Sequence, residues 1–573
     1  MITKPDLLFR KNIEEIVKEK IQLSYIERVE RQKAFLKYSD DAAVQLNKEL
    51  ISNFSPNVVT FKPINFPKDL GLDVLIRDFL QPNHSASFQL YNLSRPPVDI
   101  PTINYRWNIL DEIIEKTELM GQLNLVSEQL SVVFKRLNEY RNMSNYEHFS
   151  KNRSRQKLEF LNIPLLTEYV ESVNVLAKIT KDSNSDGFNL IFDYSIKLIE
   201  SEEFKILSEF LSDYNNDQYV ELGVTLNSIN DISKVKYLGV EKNKINRGIL
   251  KELSAKFKIL HFSEHLNDNY SNSYEGLLVM VSNGLIEESM KQIEQTTYLI
   301  GDIEFYNSAA RLRDIFLKNK LPATRPKIKD MKERKHSIKN MFSPLINYHS
   351  NPCSGKVIYE SKITPNDYLS DPDSNIRLVT GPNNGGKTRA TTGFGLVFAL
   401  GQSGFYVPAE EAEISLIDNI YTHFVFGDNA DNESGRWVNE ISRMDEMLYH
   451  MTPYSLSLID DFGSGTNYQE AREPALNVIY GHHKLGTTLL MNTHLHQLAE
   501  DVEQGEFPEV SNWQVEAYVK NDHLIFTHRI IPERAGQSYA QLIAESYGLS
   551  RKGIDLVIKK RIEQGELDSN QLR

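Results

Sequence analysis

The stretch Ile376 to Gly401, IRLVTGPNNGGKTRATTGFGLVFALG, constrains this chain more than any other. Gly381, Gly386, Lys387 and Thr388 fall on the spacing G-x-x-x-x-G-K-[ST], between a strand-like apolar run and a helix-like one. Glycines without a Cβ let main-chain N–H groups curl around an anion, and the start of the following helix turns its positive end to the same place. In that arrangement Lys387 bridges the outer phosphates of a polyphosphate and Thr388 ligates Mg2+. A nucleoside triphosphate site in an α/β domain is therefore expected here.

Two later stretches extend the site. In YSLSLIDDFGSGT an apolar run ends at Asp460, as the acid on the magnesium side should at the end of a neighbouring buried strand. TTLLMNTHLHQL ends a similar run at Thr493 and His494, where a side chain can sense the γ-phosphate or orient a water.

At 573 residues the chain exceeds what one core organises, so several domains are expected. Asp and Glu outnumber Lys and Arg, 78 to 65, so any nucleic-acid contact must be local rather than a product of bulk charge. Basic residues gather at Lys135 to Lys157, Lys234 to Lys258 and Lys318 to Asn340, each of which could meet phosphate. The lone Cys353 excludes an intrachain disulfide and fits a reducing compartment. No signal-peptide core and no bilayer-length apolar run stands out, so a cytoplasmic protein without a membrane partner is expected.

Pro5 to Tyr38 has helical spacing, followed by a Pro- and Asn-rich linker. Helical patterns dominate from Leu110 to Phe316, with Ile109, Leu110, Ile113 and Ile114 on one face, and Leu166, Tyr169, Val170 and Val173 on another behind Pro164. YVELGVTLNS and KVKYLGVEKN read as a small hairpin-like insertion, and strands and helices alternate from Phe342 onward. The expected division is 1–90, an N-terminal helical element and linker; 91–341, a helical domain with a β insertion near 219–242; and 342–573, the α/β domain.

With these residues assembled, the chain resembles the MutS family of ABC-type ATPases known from DNA mismatch repair. TGPNNGGKT looks like its P-loop, YSLSLIDDFGSGT like its Walker B segment, NTHLHQL like its switch histidine, and FTHRIIPERAGQSYAQLIAESYGLS like the end of its ATPase domain. LSRPPVDIPTINYRWNILDEI is similar to the start of the family's helical core. The resemblance implies an α/β P-loop, ABC-type ATPase domain preceded by a mainly α-helical core or lever domain, with a C-terminal helical dimerisation segment. It implies that Gly381, Pro382, Asn383, Asn384, Gly385, Gly386, Lys387 and Thr388 hold the phosphates of ATP, with Thr388 and Asp460 on Mg2+. Lys387, Asp461 and His494 would serve hydrolysis, and His528 would lie near the adenine. Ser434 and Gly435, followed by the matching Trp437 and Glu440, would start a helix aimed at the partner's γ-phosphate in a homodimer.

The sequence also departs from the family pattern. Asp461 stands where the family has glutamate, one methylene longer, which points to slow turnover. No mismatch-reading domain is recognisable in the first ninety residues, and the β insertion occupies the place of a longer clamp. The residue that stacks on adenine is replaced near Ile363, with Tyr359 close by. The expected function is a dimeric ATPase whose nucleotide state moves helical levers on DNA, branched or distorted. The alternative is a nucleotide-gated scaffold for a protein partner, with slow hydrolysis and no mismatch recognition.

Overall fold

A computed structural model describes residues 7–8, 65–144, 157–215, 220–226, 232–240, 274–351, 356–360, 362–369, 375–382, 385–424, 435–504, 507, 510–520, 523–532 and 549–566. The expected N-terminal helix Pro5 to Tyr38, apart from Leu7 and Leu8, lies outside them, as do Asn383, Asn384 and Ser434.

Contacts divide the chain into two compact units, one of residues 1–57, 82–89 and 104–310, the other of 58–81, 90–103 and 311–573. These limits differ from the divisions after residues 90 and 341 expected from sequence.

The first unit is helical. Thr117–Ser144, Ile163–Thr180, Asp186–Glu200, Glu202–Asn215 and Tyr274–Thr297 are its long elements within the described residues. Pro164 sits in the first turn of its helix, where a missing N–H costs nothing, and Leu166, Tyr169 and Val173 are buried while Val170 is half-buried. Ile109, Leu110 and Ile113 are buried likewise, and Ile109 lies so close to Gly187 that a Cβ there would come within 2.3 Å of it. Glu112 ties this layer together, accepting from the backbone N–H groups of Asn184 and Ser185 at 2.9 Å each and from Lys116 Nζ at 2.7 Å. Strands β1, Val220–Leu226, and β2, Ile232–Val240, pair antiparallel at the insertion.

The second unit is built on sheets. Strands β3 (Lys327–Lys329), β4 (His336–Met341), β7 (Asn366–Leu369) and β9 (Glu411–Ser415) form one sheet in the order β3-β9-β4-β7, and β5 (Tyr348–Asn351) pairs with β6 (Lys356–Tyr359). Because β3 and β4 pair with β9, residues 327–341 belong to this unit rather than to the helical one. The larger sheet runs β10-β11-β12-β8-β13-β14, from β8 (Ile376–Thr380), β10 (Ile420–His423), β11 (Leu456–Asp460), β12 (Thr488–Thr493), β13 (Val510–Lys520) and β14 (His523–Ile531). All its neighbours are parallel except the β13–β14 pair. Every residue of β8, β11 and β12 is buried, as expected of central parallel strands covered on both faces.

The helix Lys387–Ser403 lies between these two sheets. Phe394 stacks on Tyr368 of β7 with ring centroids 4.1 Å apart, and Phe398 meets His336 of β4 edge-on. On its other side Gly395 admits Leu458 of β11 and Leu70, which a Cβ would strike at 2.6 and 2.7 Å. Such a helix is buried on all sides rather than amphipathic, which explains the uninterrupted run GLVFALG.

Leu70 comes from a segment that the sequence reading treated as part of a linker. Phe66–Asp69 and Leu72–Leu75 are short helical turns, followed by a wider turn at Ile76–Leu80. Asp69 accepts a 2.8 Å hydrogen bond from Thr422 of β10, and Asp78 one of 2.6 Å from Tyr348 of β5. These contacts fasten the segment to the sheet unit.

In two of the basic clusters some members are taken up by packing or pairing. Lys157 is buried over the Tyr140 ring, and Lys327, Lys329 and Lys339 pair with Glu413 and Glu411 on β9. Of the cluster from Lys234 to Lys258, residues beyond 240 lie outside the described ones.

Candidate nucleotide site

In an open parallel sheet, ligands gather outside the carboxyl ends of the strands. Here β8, β12 and β11 end in register, Thr380 beside Thr493 and Asn492 beside Asp460. The residues that follow these ends form the site.

After β8 the chain turns through Gly381, with φ +148°, and Gly386, with φ +98°, both in the region that disfavours side chains. A Cβ on Gly381 would meet Val515 at 2.9 Å, so the loop is pressed against β13 as well as strained in conformation. Gly386 is the residue before the helix, whose first-turn N–H groups face the loop. Within that loop Gly385 N–H reaches Pro382 O at 3.2 Å.

Lys387 folds back over the loop. Its Nζ donates to Gly381 O at 2.7 Å and to Pro382 O at 3.0 Å, with His494 Nε2 at 3.5 Å. Burial pulls its pKa down to about 8, against the pull of Asp460 and Asp461. An ammonium so desolvated gains strongly from an anion brought to its free side.

Thr388 Oγ1 donates to Asp460 Oδ2 at 2.8 Å, while the other carboxylate oxygen accepts from Asn492 Nδ2 at 2.6 Å. Asn492 Nδ2 also reaches Thr391 Oγ1 at 2.9 Å. A hydroxyl and a buried carboxylate side by side suit Mg2+, which takes one or two protein oxygens and fills its remaining positions with phosphate and water. The described residues hold no cluster of three His, Cys, Asp or Glu side chains that would bind a metal unaided. Thr388 Oγ1 and the Asp460 carboxylate would fit a magnesium ion that takes its other ligands from phosphate and water.

Asp461 adopts φ +59°, an uncommon conformation for a non-glycine residue, with its N–H held by Asn492 O at 3.0 Å. Its carboxylate lies 3.7 Å from His494 Nε2. Burial raises the Asp461 pKa and lowers that of His494, while each draws the other toward its charged form. The pair borders the same cleft as Lys387 and Thr388.

The cleft has a volume of about 1040 Å3. Besides the expected residues, Lys68 to Gly71 with Asp73 and Val74 line it on one side, and Leu345 to Tyr348 on another. Sequence reasoning missed both walls, because neither carries a motif. It also missed Asn492, although a lone amide in the otherwise apolar TLLMNT, next to Asp460 in register, is a readable signal.

Helix Arg436–His450 starts at the exposed Gly435, which is not among the cleft-lining residues. One turn in, Glu440 is buried and accepts from Gly463 N–H at 2.9 Å, and Arg436 donates to Ser464 at 2.7 Å. Both fix the loop that follows Asp461.

His528 has φ +61° on β14, is exposed, and shares its Nδ1–H with Gly385 O at 3.2 Å. Asn366 fastens it by donating to His528 O at 3.2 Å and accepting from Ile530 N at 2.7 Å. Ile363 lines a second cavity beside the loop. Tyr359 is not part of that lining, since its ring packs with Phe79 and Tyr348 and its hydroxyl donates to Pro344 O at 3.0 Å.

The family model described as MutS domain V matches residues 377–562. A protein of Lactobacillus delbrueckii subsp. bulgaricus named DNA mismatch repair protein MutS is 34% identical over 201 residues, 35% of this chain and 23% of that protein. The Lysinibacillus sphaericus protein of the same name is 30% identical over 195 residues, 34% of this chain and 22% of that protein. One from Caldicellulosiruptor saccharolyticus is 24% identical over 519 residues, 83% of this chain and 58% of that protein. The chain therefore covers less than two thirds of the length of these relatives. Residues 377–562 thus match MutS domain V, and over most of its length the chain is similar to proteins named DNA mismatch repair protein MutS.

Proposed function

We propose that this protein is a MutS-type P-loop ATPase that binds ATP with Mg2+ through residues 381–388 and Asp460 and hydrolyses it slowly. The observation that carries this reading is the convergence of Lys387, Thr388, Asp460, Asp461 and His494 on one cleft at the carboxyl ends of β8, β11 and β12. The loop N–H groups and Lys387 take the phosphates, Thr388 and Asp460 hold the metal, and the Asp461–His494 pair faces the attacking water. Magnesium neutralises the phosphate oxygens when bound.

The working form is a homodimer. The exposed Gly435 starts helix Arg436–His450, whose N-terminal end would meet a partner's γ-phosphate, and Ser434 precedes it. On the terminal helix Arg551–Glu563 no described residue is buried, while Ile554, Leu556 and Val557 are exposed, an apolar surface suited to a second copy. DNA is the partner that the relatives' names point to, contacted by the helical unit, whose response to nucleotide is the output. Turnover and DNA affinity of wild type and Lys387→Ala, each measured across salt concentration, test the whole reading: loss of nucleotide-dependent DNA binding in the variant supports it, and absence of DNA binding even at low salt removes the nucleic-acid half.

The pairing of Lys327, Lys329 and Lys339 with acids of β9 favours a second reading, a nucleotide-gated scaffold for a protein partner. Retention of a partner after nuclease treatment, with ATP but not without it, selects that reading.

A further inference from the structure

The loop that follows β11, from Asp461 to Gly465, carries the carboxylate assigned above to the attacking water. Its fastenings come from the first turns of helix Arg436–His450. Glu440, only 3% exposed, accepts from Gly463 N–H at 2.9 Å. Arg436 donates to Ser464 Oγ at 2.7 Å and pairs with Glu440 at 3.4 Å. The Trp437 ring packs against the buried Phe462, with centroids 5.5 Å apart. Three consecutive loop residues are thus each gripped by a different side chain of one helix.

That grip has no slack. A Cβ on Gly465 would come within 2.9 Å of Glu440 Oε1 and 3.3 Å of Trp437 N. On the other side Gly463, at φ +87°, lies against helix Tyr468–Leu485, where a Cβ would meet Ala471 at 2.7 Å. The loop is therefore pinned between two helices. Asp461 itself sits in the left-handed region at φ +59°, its N–H held by Asn492 O and its carbonyl accepting from Ser464 N–H at 3.3 Å. A non-glycine residue keeps that conformation only where its surroundings enforce it. Glu440 belongs to those surroundings, and a buried carboxylate of this kind is itself costly unless it is paired.

We propose that Glu440 is a positioning residue for hydrolysis, holding the loop through Gly463 in the conformation that aims Asp461 at the cleft. The inference rests on the ATPase reading of that cleft. Glu440 is not among the cleft-lining residues, so it acts through Asp461 and leaves the phosphates to residues 381–388.

The test is steady-state turnover and equilibrium binding of ATP with Mg2+ by the full chain, for wild type, Glu440→Ala, Glu440→Gln, Asp461→Asn and the double variant Glu440→Ala with Asp461→Asn. Glu440→Ala should lower kcat by about tenfold or more, while the Kd for ATP stays within about twofold and shows the protein folded and loaded. Glu440→Gln, whose amide oxygen still accepts from Gly463 N–H, should recover kcat to within about threefold of wild type. On the Asp461→Asn background Glu440→Ala should cost less than about twofold, because nothing is left to position. Should Glu440→Ala fail to fold, Gly465→Ala parts the same contact from the loop side and should show the same pattern. Equal fold-losses of kcat with and without the Asp461 carboxylate, or a loss of ATP affinity as large as the loss of kcat, would make Glu440 a general support of the fold and overturn the proposal. A wild type that binds no ATP would instead overturn the ATPase reading, and this assignment with it.

Discussion

Thr388 Oγ1 and Asp460 Oδ2 are 2.8 Å apart, and the far oxygen of that carboxylate is held by Asn492 at 2.6 Å. Asn492 therefore orients the acid that would meet the metal without touching the metal itself. Asn492→Leu removes this hold from a buried carboxylate, at a cost of about 1–3 kcal/mol. Thermal unfolding should register that loss, and the Mg2+ concentration for half-maximal turnover should rise by at least severalfold. A variant with unaltered magnesium dependence would deny Asn492 that role.

The left-handed backbone at Asp461 and its 3.7 Å approach to His494 leave a short carboxylate at the edge of the cleft. Asp461→Glu restores one methylene of reach and should raise kcat, by about three- to tenfold if reach is the limit, with KM nearly constant. An unchanged or lower kcat would show that reach is not what limits the chemistry.

Burial sets the Lys387 pKa at about 8 in the absence of ligand, and a bound polyphosphate would raise it. Below that pH the ammonium is already charged, so affinity is flat. Above it, binding must take up a proton, and triphosphate affinity should fall by up to about tenfold per pH unit. Titrations from pH 7 to 9.5 check this; a flat profile throughout would mean that Lys387 is not the charge that matters.

His336 and His482 are enclosed as neutral imidazoles, their pKa values pressed by burial to about 3 and about 4. The unfolded chain takes up these protons near pH 6.5, whereas the folded one refuses them until far lower pH. Stability is accordingly intact above pH 6.5 and declines below it, by up to about 1.4 kcal/mol per pH unit for each ring. Unfolding midpoints between pH 7.5 and 5 should drop for wild type and less steeply for His482→Gln; parallel curves would contradict the assignment.

The motifs singled out the loop after β8, Asp460 at the end of β11 and His494 after β12, and the structure brings all three to one cleft at neighbouring strand ends. What the sequence concealed depends on shape. Gly393 and Gly395 read as ordinary helix residues until Phe342 and Leu458 are seen lying against them. Residues 66–80 read as linker, since turns of four or five residues leave no periodicity, yet Asp69 and Asp78 dock them on β10 and β5. The lysine cluster likewise gave no hint that Glu411 and Glu413, more than seventy residues later in sequence, would pair with Lys327, Lys329 and Lys339.

Calorimetric titration of ATP into the full chain, with and without Mg2+ and for wild type beside Lys387→Ala, tests the central claim most directly. The account predicts magnesium-dependent binding by wild type and a loss of at least about a hundredfold in the variant, as expected when a buried charge pairing with phosphate is removed. Equal affinity in the two proteins, or no heat in either under any condition, would contradict it.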